Sequence, residues 1–185
     1  MKRLFAAVAV FIIAPIALAE EEPLEIKGIS FGASETQFIE KNPTAECKNS
    51  RDEQEAIMGD RICRLYEPDG TTYAGVPANI SVFFFADKMD SALILLNSKD
   101  FNLVKSALIL KYGKPTTTKM ERLTTAMGGE ILNEKNEWQR KDSKAIINRY
   151  AGKITRCIVS FSSNANVTEM EKRYKKDIRN RSSDM

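Results

Sequence analysis

The N-terminal segment decides how much of this 185-residue chain is left to fold and in which compartment it folds. Lys2 and Arg3 precede an apolar run at 4–18, and Ala17-Leu18-Ala19 supplies the small residues that a signal peptidase requires. We expect cleavage after Ala19 and a periplasmic or secreted product. A run of about 15 residues is shorter than the roughly 20 that span a bilayer, so no transmembrane segment is predicted. The residue after the cleavage point is not cysteine, so we predict that the protein is not a lipoprotein.

Length and charge limit the class of the processed protein. Removing 19 residues leaves 166, which fits one compact domain or two small ones packed together. Loss of Lys2 and Arg3 leaves 26 basic against 25 acidic residues, a net charge of +1. Nucleic-acid binding depends on many uncompensated Lys and Arg side chains facing phosphates. We therefore predict no nucleic-acid partner.

The chain contains no histidine, and this removes the usual general base and the commonest metal ligand. Ser-His-Asp and Cys-His catalysis are excluded. A zinc site would need Cys47, Cys63 and Cys157, whose spacing lacks the close pairs that zinc sites favour. We predict no cofactor, no metal and no catalytic residue. Hydrolysis of glycans by two carboxylates stays open, since only geometry identifies such a pair.

The three cysteines need an explanation in an oxidising compartment. Cys47 and Cys63 lie in one polar region with 15 residues between them, and we predict that they form a disulfide. A ring of this size stabilises a fold by about 3 kcal/mol in the chain-entropy model. Cys157 shares a strand face with Val159 and Phe161, which indicates a buried and unreactive thiol. The alternative, a reactive thiol, would need exposure and a nearby positive group, and Arg156 points to the opposite face.

The first half of the processed chain reads as one helix followed by strands. Ser34-Glu35-Thr36-Gln37 has the form of a capping box and predicts a helix from Glu35 to about Asn42. The polar stretch 44–59 is predicted to be a loop. Strands are predicted where apolar and β-branched residues cluster: Ile62 to Tyr66, Ile80 to Phe85 and Ala92 to Leu96. The segment 86–90 between the last two reads as a hairpin loop.

The second half repeats this order. Apolar residues at steps of three and four predict a helix from Phe101 to Tyr112, with Gly113 as its C-cap. A polar loop containing Gly128 comes next. Three more strands are predicted: Glu137 to Arg140, Ala145 to Tyr150 and Ile154 to Phe161. A basic terminal helix begins near Asn166, and its apolar side is Val167, Met170, Tyr174 and Ile178.

These elements predict an α+β fold of two repeats, each a helix plus a three-stranded antiparallel sheet, followed by a C-terminal basic amphipathic helix. The predicted boundaries are a signal peptide at 1–19, a first αβ repeat at 20–97, a second at 98–165 and the helix at 166–185.

The segment from Gly28 to Ile39, Gly-Ile-Ser-Phe-Gly-Ala-Ser-Glu-Thr-Gln-Phe-Ile, resembles the start of the BamE-like domain. Two such units in series resemble the β-lactamase inhibitor protein architecture, with Phe101 to Pro115 as the equivalent helix of the second unit. This resemblance implies a helix-plus-sheet fold in each unit and implies binding of a protein partner through a sheet face. The chain lacks the lipidated cysteine of BamE-like lipoproteins, which argues against an anchoring role.

Two sets of residues are candidates for an interface. The strand from Ile80 to Phe85 is apolar on both faces, so Phe83 and Phe85 either lie under another layer or form a binding patch. Trp138 stands among polar residues, and it either holds the second sheet together or forms a contact platform. The side chains that would complete such a platform are Arg140, Arg149 and Tyr150.

The sequence thus predicts an exported, non-enzymatic protein that binds another envelope or secreted protein, as an inhibitor, an immunity protein or an assembly factor. Two alternatives stay open: a carboxylate-dependent glycan hydrolase, and a carrier of a small molecule or lipid. The basic terminal helix adds weak contact with an anionic membrane surface as a further expectation.

Overall fold

The computed structural model describes residues 22–50, 53–124 and 128–183, and the predicted leader lies outside these ranges. The strands, in chain order, are β1 (Glu25–Ile26), β2 (Ile29–Ser30), β3 (Glu46–Asn49), β4 (Arg61–Leu65), β5 (Thr72–Tyr73), β6 (Val76–Pro77), β7 (Asn79–Phe85), β8 (Lys88–Asn97), β9 (Thr117–Thr124), β10 (Glu130–Gln139), β11 (Ser143–Asn148) and β12 (Arg156–Ser163). The α-helices are α1 (Glu35–Lys41), α2 (Glu53–Met58), α3 (Phe101–Tyr112) and α4 (Val167–Ser183).

Eight strands form one antiparallel sheet in the order β3-β4-β7-β8-β12-β11-β10-β9. The prediction of two repeats with three strands each is therefore wrong. Strands β8 and β12 join the halves along seven residue pairs, from Arg156 opposite Asn97 to Ser162 opposite Ser91. Both strands carry apolar residues that continue one core across the junction, so the two halves share a single sheet.

Two strands of the sheet, and the first seven residues of β10, were predicted to be loops because their residues are mostly polar. Strand β3 holds Cys47 directly opposite Cys63 of β4, and the two form a disulfide in the structure. Strand β9 lies at the opposite edge and is exposed along nearly its whole length. An edge strand has one neighbour and little burial, so it does not need the apolar alternation that marks an internal strand.

Helices α1 and α3 pack on one face of the sheet and cover the main core. Ser34 and Gln37 form both hydrogen bonds of the capping box that begins α1. The ring of Phe38 meets Phe84 edge to face, with centroids 5.9 Å apart. Helix α3 buries its apolar stripe, which the spacing predicted, and ends at Gly113 with a φ of 78°. The buried stripe consists of Phe101, Val104, Leu108 and Tyr112.

The β7–β8 hairpin is tighter than the predicted loop. Ala86 and Asp87 have φ values of 45° and 63°, and a two-residue turn with positive φ at both positions matches the twist of the flanking strands. The pairing shifts between Phe83, opposite Ser91, and Phe84, opposite Met89. This bulge leaves Asp90 without an opposite residue on β7. It also interrupts the regular alternation of side chains between the two faces of β8.

Helix α4 packs against α2 with a side that the apolar pattern did not indicate. Arg173 and Asp177 face inward, whereas Val167, Tyr174 and Ile178 are 43 %, 56 % and 47 % exposed. The predicted apolar side of this helix is thus turned outward. Within the described ranges, no helix combines the length and apolarity needed to cross a bilayer.

Candidate interaction surface

Helices α1 and α3 cover one face of the eight-stranded sheet. The second face is covered by other elements, and only in part. Residues directly opposite each other on paired strands share a face. The rows that contain Val82, Ile94, Val159 and Ile147 therefore form the core face, in agreement with their complete burial. The alternate rows form the second face, and part of this face is open to solvent.

Helices α2 and α4 cover one corner of this second face. Ile62, Phe83 and Phe85 lie there and are 1 %, 4 % and 5 % exposed. The guanidinium of Arg173 from α4 lies 4.5 Å from the centre of the Phe85 ring. The same guanidinium donates to the Ala56 carbonyl at 2.7 Å and to Asp60 at 2.8 Å. Phe83 and Phe85, considered above as a binding patch, are here interior residues beneath a helical layer.

Trp138 lies on the core face and is fully buried. Its Nε1 donates to the Gly113 carbonyl at 2.8 Å, and Arg140 donates to the Tyr112 carbonyl at 2.8 Å. The last carbonyls of a helix lack partners within the helix, and these two side chains supply them. Trp138 and Arg140 therefore tie β10 to the C-terminal end of α3.

Arg149 and Tyr150 lie near the opposite end of α3. The Arg149 guanidinium stands 4.8 Å from the centre of the Phe101 ring and donates to Asn102 at 3.0 Å. The backbone of Tyr150 exchanges hydrogen bonds with the Asn133 side chain. The structure thus separates the six predicted interface residues into three places instead of one surface.

The open part of the second face carries four aliphatic side chains on three adjacent strands. In the register, Leu93 lies opposite Ser160, Leu95 opposite Ile158, and Ser160 opposite Ile146. All four aliphatic residues are half-buried, so part of each side chain reaches solvent. We call this cluster the open sheet patch, and its members are Leu93, Leu95, Ile146 and Ile158.

Basic side chains border the open sheet patch on β10, β11 and β12. Lys144 lies on the same face of β11 as Ile146, and Arg156 lies on the same face of β12 as Ile158. Lys135 stands opposite Asn148 on the neighbouring strand. Glu137, opposite Ile146, contributes the acidic charge of this rim. Three cations against one carboxylate give the β10 to β12 side of the rim a positive charge, while Glu67 and Asp100 line the groove that Leu95 and Arg156 share.

The sequence contained a signal for this patch that our predictions did not use. Ile146-Ile147 and Ile158-Val159 are adjacent aliphatic pairs within strands. Because successive side chains point to opposite faces, each pair places one aliphatic residue on the core face and one on the second face. The aromatic residues drew the prediction toward Phe83 and Phe85 instead.

Asp90 occupies the floor of a large surface groove of about 1230 Å³ beside the start of α4. Its side chain is 1 % exposed and accepts a hydrogen bond from the Asn166 amide at 2.9 Å. Burial raises the pKa of Asp90, and hydrogen bonds from Asn166 and Ser163 oppose that rise. A raised carboxyl pKa is a property of general acids. Because the Asp90 oxygens are covered, we assign this residue a structural role instead: it holds the segment before α4 against β8.

Two of the cysteines and a nearby carboxylate are arranged somewhat like a set of metal ligands. The ligand atoms of Glu35, Cys47 and Cys63 lie within 4.8 Å of one another. The two sulfurs are joined in a disulfide, so they are not available as thiolates. Glu35 forms an ion pair with Arg61. Burial raises the pKa of the Cys157 thiol to about 12, while Arg149 acts in the opposite direction.

Comparison with known proteins yields no matching family model, no matching curated sequence and no matching solved structure. The resemblance to the BamE-like and β-lactamase inhibitor proteins therefore stays an expectation from the sequence. The function proposed below depends on the geometry of the sheet.

Proposed function

We propose that this protein acts by binding another protein through the open sheet patch. The observation that carries the proposal is the placement of four half-buried aliphatic residues on three adjacent strands of the open face, bordered by basic side chains. The matching partner surface has an apolar centre and carboxylates around it.

Two physical arguments support binding at this place. The solvated face of an antiparallel sheet is usually polar, so a contiguous aliphatic cluster there is unusual and supports the proposal of an interaction site. Strands β8, β12 and β11 each have neighbours on both sides, so hydrogen bonds fix their backbones. A rigid surface loses little conformational entropy on association, and this favours affinity for a partner of matching shape.

The basic rim adds selectivity and speed. Lys135, Lys144 and Arg156 attract an acidic surface and orient it before contact, an effect that salt weakens. The apolar centre then supplies the part of the interface from which water is excluded. The partner would therefore be an acidic protein, and association should slow as ionic strength rises.

We propose further that binding takes place outside the cytoplasm. The leader-like N-terminus supports export, and the Cys47–Cys63 disulfide is typical of an oxidising compartment. The partner would then be an envelope or secreted protein. Inhibition, immunity and assembly support each require such a contact, and each is compatible with a rigid sheet surface.

Site-specific photo-crosslinking tests this function. A photoreactive residue at position 146 should capture a partner from envelope extract, whereas the same residue at Leu110 of α3, which is 90 % exposed, should not. The captured protein is identified by mass spectrometry and purified. Direct binding of that protein to wild type is then compared with binding to the double variant Ile146→Thr, Ile158→Thr.

The double variant should bind at least tenfold more weakly, because it replaces two aliphatic contacts by hydroxyl-bearing residues that still favour strands. Leu103→Thr, at a position of α3 that is 54 % exposed, is the matched control and should bind as wild type does. Equal affinity of wild type and the double variant, with both folded by circular dichroism, would remove the open sheet patch as the binding site. The effect of binding on the partner's own activity distinguishes an inhibitor from an assembly factor.

A further inference from the structure

Strand β9 is a long and accessible edge of the sheet. It has eight residues and pairs with β10 on one side only. All its residues except Leu123 are exposed. The other edge strand, β3, has four residues and is fixed by the disulfide. The backbone groups on the outer side of β9 form a template that another strand can join.

The residues of β9 complement a second copy of themselves. Two copies related by a twofold axis along the sheet normal keep their faces aligned only if a residue pairs with itself or with one an even number of positions away. With Met120 opposite its own copy, Lys119 lies opposite Glu121 of the second chain, and the reverse pair repeats this contact. Centring on Lys119 or on Glu121 instead would place like charges in direct opposition, which is destabilising.

In its described part, the single chain gives neither of these charges an ion-pair partner. Lys119 lies directly opposite Lys135 of β10, so two like charges share one row of the second face. Among the residues that the structure describes, no ion pair involves Lys119 or Glu121. Met120, on the core-face side, is 56 % exposed. A second copy would place a carboxylate beside Lys119 and cover Met120 with its counterpart.

We propose that two copies of this chain join through antiparallel pairing of β9, with Met120 on the twofold axis. The pairing doubles the eight-stranded sheet and places both open sheet patches on the same face. This dimer does not depend on the proposed function, because its evidence is the edge strand and its charges.

Cysteine crosslinking tests the register. Opposed residues of an antiparallel pair have Cα atoms within the range that a disulfide spans, so Met120→Cys should crosslink to its own copy under mild oxidation. Arg122→Cys is the matched control, since it lies on the same face and is also exposed. In this register its copies stand roughly 14 Å apart, too far for a disulfide. The native cysteines do not interfere, because two are bonded and Cys157 is buried.

Charge reversal tests the contacts. Sedimentation velocity should show wild type as a dimer at micromolar concentration. Lys119→Glu and Glu121→Lys should each raise the dimer dissociation constant at least tenfold, and the double variant should return it close to the wild-type value. Lys144→Glu, two strands away on β11, should leave it unchanged.

Each of three results would overturn the dimer: a wild type that is monomeric at micromolar concentration, equal crosslinking at positions 120 and 122, or a double variant as weak as the single ones. Circular dichroism of every variant separates loss of association from loss of fold. A failed dimer test leaves the photo-crosslinking result at Ile146 unaffected, so the two proposals can fail separately.

Discussion

Arg173 should be the side chain that holds α4 against the rest of the protein, and Arg173→Ala tests this role. Its guanidinium stacks on Phe85, donates to the Ala56 carbonyl and pairs with Asp60 and Glu169. The side chain is 28 % exposed, so solvent weakens each contact without removing it.

The magnitude follows from these contacts taken one by one. The cation–π contact at a partly exposed site contributes about 0.5–1 kcal/mol. The charged hydrogen bond to the Ala56 carbonyl contributes about 1 kcal/mol after allowance for exposure. The two ion pairs have acidic partners that are 50 % and 46 % exposed, and together they add roughly 0.5 kcal/mol. Arg173→Ala should therefore lower the free energy of unfolding by about 2–2.5 kcal/mol.

Urea unfolding followed by the fluorescence of Trp138, the single tryptophan, measures this loss. Arg173→Lys keeps the charge without the planar fork and should lose about half as much. Lys176→Ala, an exposed neighbour on the same helix, should change stability by less than about 0.5 kcal/mol. Hydrogen exchange should show faster exchange in α4 of the alanine variant. A loss below about 0.5 kcal/mol for Arg173→Ala, with α4 exchange unchanged, would refute the role given to this residue.

Three further outcomes are expected. Replacing Cys47 and Cys63 by serine should lower the free energy of unfolding by about 3 kcal/mol, as their separation of 16 residues implies; equal stability of the variant and of the oxidised wild type would contradict this. Cys157 should resist iodoacetamide in the native protein and react fully in urea, and rapid native labelling would contradict its burial. Because burial raises the folded pKa of Asp90 above its ordinary 3.8, the protonated form is stabilised by folding. The stability of wild type relative to Asp90→Asn should be greatest below pH 3.8 and fall as pH rises through the folded pKa; a difference that does not vary with pH would oppose this.

Local signals in the sequence predicted the elements that depend on local chemistry. Ser34 and Gln37 form the capping box of α1, and the stripe of α3 is buried as its spacing indicates. The Cys47–Cys63 disulfide forms because the two cysteines face each other on adjacent strands. In each case the residues lie close together in the chain, so the contact could be predicted from their spacing.

The edges and cover of the sheet were harder to predict. Strand β9 has only one neighbouring strand and is exposed along most of its length, so most of its residues are polar. A polar segment of this kind cannot be distinguished from a loop by its sequence. Helix α4 turns Val167, Tyr174 and Ile178 outward because Arg173 finds partners on α2 and over Phe85. The orientation of α4 follows the contacts of one polar side chain with several distant partners and not its apolar stripe. No local sequence pattern contains these distant contacts.

The sequence by itself determined the secondary structure of the two main helices and of the internal strands other than β10, of which it predicted only the end, together with the pairing of the cysteines and the lack of histidine chemistry. Only the tertiary structure decided that β8 pairs with β12 to make one sheet, that Phe83 and Phe85 lie beneath helices, and that Leu93, Leu95, Ile146 and Ile158 meet on an open face. The physical reason is the strand period of two, which leaves both faces of an apolar strand equivalent until distant elements cover one of them.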